Sequence, residues 1–82
     1  MPRPISTIAK EIEADILSGN WSRNAAGYAL PYLRAMKELN SISDNYGHDS
    51  GKGTVLYFLS NASTWRGDTA RRIKAELNAI CK

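Results

Sequence analysis

The sequence predicts an all-α protein: a small single-domain bundle or orthogonal array of four helices, at about residues 6–18, 28–40, 53–62 and 64–80. Three observations predict it. Apolar residues recur at spacings of three and four along most of the chain. Glycine, proline and asparagine gather mainly between those stretches. Alternating apolar–polar runs of strand length are missing. Eighty-two residues are enough for one domain, 1–82, but give it a small core. Help from self-association or a partner is therefore expected.

The first helix opens at Ser6, a good N-cap, with Ile5 ahead of it as a hydrophobic staple. Ile8, Ala9, Ile12 and Ile16 form a narrow apolar stripe. Gly19 and Asn20 end it, since both tolerate the left-handed conformation. Residues 20–27 read as a loop or a single irregular turn. Trp21 in that stretch has two readings, a lid folded back on the core or an exposed contact residue. In the second helix Ala29, Tyr32, Leu33, Met36 and Leu39 share a face. Pro31 fixes its start near residues 28–30, where the first-turn N–H groups have no acceptor within the helix.

Residues 41–53 form the long loop, with Ile42 and Tyr46 pinning it to the core. The third helix follows. Val55, Leu56, Phe58, Leu59 and Ala62 cover more than half its circumference, so it should be the most buried segment. Tyr57 takes part of the remaining side. The last helix starts at Thr64 as N-cap, with Asp68 favoured in its first turns by the helix dipole. Trp65, Thr69, Ile73, Leu77 and Ile80 line one side; Arg71, Lys74, Asn78 and Lys82 line the other. Arg66 misfits. Either its stem lies along the core or the helix begins later, near Gly67. An Arg beside a Trp at a helix start can hold an anion or stack on a partner; the plainer role is a tie to a carboxylate or carbonyl.

The net charge of +3 and pI near 9.2 suit an acidic partner or nucleic acid without requiring either. The single cysteine, Cys81, forms no internal disulfide and completes no cysteine-based zinc site, which points to a reducing, cytoplasmic setting. The opening residues lack a signal-peptide pattern, and the longest apolar run, residues 55–59, is far below the roughly 20 residues that span a bilayer. No membrane partner is expected.

GHDSGKGT, residues 47–54, invites a phosphate-loop reading, but the glycine spacing is one residue short and no strand precedes it. What survives is an anion cradle of backbone N–H groups at Gly51, Lys52 and Gly53, against the plainer reading of a flexible connector. His48 and Asp49 are neighbours, yet a general base needs a nucleophile or pocket as well. The acids show no metal-binding spacing. The sequence therefore points to a non-enzymatic protein with no metal and no cofactor. Its contact candidates are Trp21, Tyr57, Arg66, Arg71, Arg72 and Lys74. The basic side of the last helix could instead meet DNA or RNA, because the third and fourth helices are joined closely enough for a helix-turn-helix.

The segment YFLSNASTWRGDTARRIKAEL, residues 57–77, together with ISTIAKEI at 5–12, PYLRAM at 31–36 and DNYGHDSG at 44–51, resembles an uncharacterised family of small proteins encoded by bacteriophages and prophages. The NA-TWRG-ARR-K-EL pattern is the most specific part, and the resemblance covers nearly the whole chain. It implies no functional residues. It does imply a phage accessory protein, acting in the host cytoplasm, that binds and modulates a host macromolecule. An anti-defence protein, for example a CRISPR inhibitor, is one such case.

Overall fold

The amides that open the first helix find their acceptors on another part of the chain. In the computed structural model, which describes residues 3–46 and 49–81 with backbone alone at 45, 46 and 49, α1 spans Ile5–Leu17. Ile5 N–H donates to the Asn40 carbonyl at 3.1 Å, and Ser6 N–H to that of Leu39 at 2.7 Å. These satisfy two donors that a helix start leaves orphaned. Ser6 is therefore not the cap; Pro4 holds that position without a side-chain bond. The helix ends at Ser18, and Gly19 follows at φ 91°.

The expected irregular turn is a short helix, α2 (Arg23–Ala26), capped by the Ser22 hydroxyl, which accepts from Ala25 N–H. Gly27, at φ 44°, swings the chain into α3 (Ala29–Met36). Pro31 lies in the first turn of α3, where its missing N–H costs nothing. This helix stops short of residue 40. The Asp44 carboxylate accepts from the N–H groups of Asn40 and Ser41 and draws the chain away, while Leu39 stays buried.

Two-residue strands β1 (Asn45–Tyr46) and β2 (Asp49–Ser50) pair antiparallel, Asn45 with Ser50 and Tyr46 with Asp49. They lead into α4 (Gly51–Ser60), which begins earlier than expected because Ser50 caps it. A Cβ on Gly51 would stand 2.7 Å from the Asp44 carbonyl oxygen and 2.8 Å from that of Ile42, so only glycine lets the loop lie this close. The final helix, α5 (Asp68–Ile80), starts after Gly67 at φ 108° and not at Thr64. The later start considered for Arg66 is the one adopted.

The architecture is all-α, with five helices among the described residues around one apolar core. α4 packs chiefly on α3, and α1 packs on α3 and α5. The stripe Ile8, Ala9, Ile12 and Ile16 meets Leu33, Met36, Val55, Phe58, Ile73 and Leu77 in that core. The buried side of α4 is narrower than predicted. Val55 and Phe58 are enclosed, but Leu56 is 42 % exposed and Tyr57 56 %, because α4 is covered on one side only. Ile42 packs against the core as expected. His48, Lys82 and the side chains of Tyr46 and Asp49 lie outside the described residues. Among those described, no helix is long and apolar enough to cross a membrane.

Candidate functional site

Residues 61–67 run non-helically between α4 and α5, and two indoles hold them in place. Trp21 and Trp65 stack with ring centres 5.2 Å apart and planes 17° from parallel; Phe58 meets both edge-on. Each indole is 1 % exposed, and each ring N–H has a partner. Trp65 Nε1 donates to Asp15 Oδ2 at 2.7 Å, and Trp21 Nε1 to Thr64 Oγ1 at 3.0 Å. The Thr64 hydroxyl in turn donates to the Ala25 carbonyl. Asn20 Nδ2 bridges Asp15 Oδ2 and the Arg66 carbonyl. Thr64 was the expected helix cap; it is instead a clamp between α2 and this seam. Trp21 is corrected as a contact residue. It is the core lid, buried because both its ring face and its N–H are used.

The seam shapes a surface cleft of about 310 Å³, lined by Trp65, Arg66, Gly67, Ala70, Arg71 and Lys74. Three of the six predicted contact residues thus meet in one place. Gly67 delivers the chain from the seam into α5, so Arg66 comes from the seam while Arg71 and Lys74 come from one side of the helix. Lys74 is half-buried rather than displayed. Its Nζ donates to the Trp65 carbonyl at 2.6 Å and lies 5.9 Å from the indole centre. Burial, and then the charge of Arg66, pull its pKa below the ordinary lysine value. Arg71 is 80 % exposed, 3.7 Å from an Asp68 carboxylate that is itself fully in water, so that pairing is loose.

Arg72 points elsewhere. It pairs with Glu11 on α1, and Arg3 holds Glu76 through Nε at 2.9 Å and Nη2 at 2.6 Å. Arg3 Nη1 also approaches Glu11 Oε1 at 2.9 Å but off the hydrogen-bond direction, leaving that buried oxygen without an aligned donor. Arg72, then Arg3, hold the Glu11 carboxyl below the usual range against the opposing effect of burial; Arg3 does the same for Glu76. The arginines expected on one basic face are therefore divided. The seven residues between α4 and α5 also exceed the three- or four-residue turn of a helix-turn-helix.

Tyr57 stacks on Tyr32 of α3, centres 5.4 Å apart and planes 20° from parallel. Tyr28, one turn before Tyr32, is 84 % exposed. Tyr32 lies on the core-facing side of α3 as expected and is partly buried against the core; its pairing with Tyr57 across two helices has no local signal in the sequence. The anion cradle at Gly51, Lys52 and Gly53 is corrected as well. Gly51 N–H donates to the Asp44 carbonyl and Gly53 N–H to the Ser50 hydroxyl, so two of its three donors are spent on the fold. Lys52 is exposed. Among the described residues, no three His, Cys, Asp or Glu side chains gather where they could hold a metal ion. No family model, no curated protein and no solved structure matches the chain.

Proposed function

We propose that the chain is a non-enzymatic accessory protein, of the phage-encoded kind that its sequence resembles, and that it binds and modulates a host protein. The observation that carries this reading is the Tyr32–Tyr57 stack across α3 and α4, which leaves Tyr57 more than half exposed, with Tyr28 at the start of α3 and Leu56 on α4 exposed as well. Tyrosine is enriched at protein interfaces, because its ring supplies contact area with few torsions to freeze. Here the stack fixes one ring against the other, and α4 rests on α3, so little ordering remains to oppose binding. A nucleic-acid reading has less behind it, since Arg72 is engaged by Glu11 and the helix-turn-helix link is too long.

The test is capture from host lysate followed by titration of the purified partner. Tyr28→Ala with Tyr57→Ala should weaken that complex by tenfold or more, about 1.4 kcal/mol, while the melting temperature moves little. A partner bound equally by the double variant, or no partner above background, would overturn the reading. Sedimentation of the chain alone shows whether a second copy covers the tyrosines instead.

A further inference from the structure

The cleft beside Trp65 is a second surface, independent of the tyrosine stack. Arg66, Arg71 and Lys74 line it; Asp68, 3.7 Å from Arg71 and fully exposed, is not among the lining residues. We propose that it binds one phosphate group, as inorganic phosphate or as the terminal phosphate of a small phosphomonoester. Three cations gathered on one cleft repel each other, and a dianion relieves that repulsion. Guanidinium groups present paired N–H donors that match phosphate oxygens, and the lysine adds a point charge. The donors are also partly ordered in advance. Lys74 is tethered to the Trp65 carbonyl, and the Arg66 main chain is held by Asn20. A volume near 310 Å³ leaves room for a tetrahedral oxyanion with part of its hydration.

Two features narrow the ligand. Trp65 is 1 % exposed with Lys74 above its ring, so it offers no face on which a base could stack. The next cation along α5, Arg72, is paired with Glu11, so the row of positive charge does not continue as a nucleic-acid backbone would need. The cleft has one seat.

Inorganic phosphate, glucose 6-phosphate, sodium chloride at matched ionic strength and a short duplex oligonucleotide would each be titrated into the isotopically labelled protein, following amide and arginine side-chain resonances of residues 65–74. Saturable shifts are expected with either phosphate and not with chloride. Arg66→Gln with Arg71→Gln, both exposed positions, should weaken phosphate binding at least tenfold without changing the melting temperature of the unliganded protein. The two phosphate arms show whether the free ion or the ester is preferred. Non-saturating shifts equal to those of chloride, equal binding by the double variant, or tight binding of the duplex alone would each overturn the proposal.

Discussion

The two aromatic clusters of this protein are built on opposite terms. At the seam, Trp21 and Trp65 are enclosed, and both ring N–H groups are answered by side chains distant in sequence. On the face of α3 and α4, Tyr32 and Tyr57 also stack at close to parallel, yet Tyr57 stays more than half in water, and neither hydroxyl has a partner among the described residues. Similar ring geometry thus serves two ends. Where the polar tip is satisfied internally, the aromatic group fixes the chain; where the tip is left free, it is available to another molecule. Trp65→Ala should break the first cluster most severely. Removing a buried Trp costs about 3–5 kcal/mol, a large part of the roughly 4–12 kcal/mol expected for 82 residues. A melting temperature lower by about 15 °C or more, with the cleft lost, is the expected result. A change under about 5 °C would show that the seam is not a structural element.

A narrower change separates ring from polar tip. Asp15→Ala leaves the Trp65 ring in place but removes the acceptor shared by Trp65 Nε1 and Asn20 Nδ2. A buried donor left unpaired costs about 1–3 kcal/mol. Chemical denaturation should show that loss, and a double-mutant cycle with Trp65→Phe should show strong coupling between the two positions. Additive losses would mean that the hydrogen bond contributes nothing.

The same contrast explains what could be read from residues alone. The stripes Ile8–Ile12–Ile16 and Ile73–Leu77 were legible, because their side chains bury along the period that the helix itself dictates. Gly19 was legible as a helix end, because glycine tolerates the positive φ found there, while Gly67 entered only as the alternative start of the last helix. Thr64 and Trp65 were not legible. Their spacing fits a continuation of α5, and only the misfit of Arg66 argued locally against a helix there. What draws them out is a set of partners 39 to 50 residues away, Ala25, Trp21 and Asp15. The partners of Arg72 and Tyr57 were hidden for the same reason, because the Glu11 pairing and the Tyr32 stack exist only once distant helices meet.

On the other side of α1 and α5, the Arg3–Glu11–Arg72–Glu76 network gives a smaller effect with a defined sign. Both carboxyls lie lower in the folded chain than in the unfolded one, where an ordinary Glu titrates near about 4.3. As pH falls, the unfolded chain takes up protons first. The contribution is therefore complete above the unfolded value and is lost as pH drops through the folded values. Arg3 and Arg72 are 38 % and 54 % exposed, so solvent screening limits the gain to about 1 kcal/mol in all. Glu11→Gln with Glu76→Gln should lower stability by that amount at pH 7, and the gap should close as pH drops through the lowered folded values. A gap that stays constant across that range would show that the carboxylate charges are not responsible.

The smallest expected effect on stability carries the most weight for function. Tyr57→Ala removes a half-exposed ring and its stack on Tyr32, worth about 0.5 kcal/mol or a little more at a wet surface. In a protein whose rings all served the fold, weakened binding would follow weakened stability. Here the two should part. If the proposed function holds, Trp65→Ala should weaken partner binding only through its loss of stability, whereas Tyr57→Ala should leave the melting curve within about 4 °C of wild type and still cut affinity severalfold. Tyr57→Phe sharpens the contrast, since it keeps the stack and removes only the free hydroxyl. If Tyr57→Phe binds as weakly as Tyr57→Ala, the partner reads the hydroxyl; if it binds as wild type, the partner reads the ring face. A Tyr57→Ala protein that lost stability and affinity in proportion would place the tyrosine pair with the tryptophans, as structure rather than contact surface.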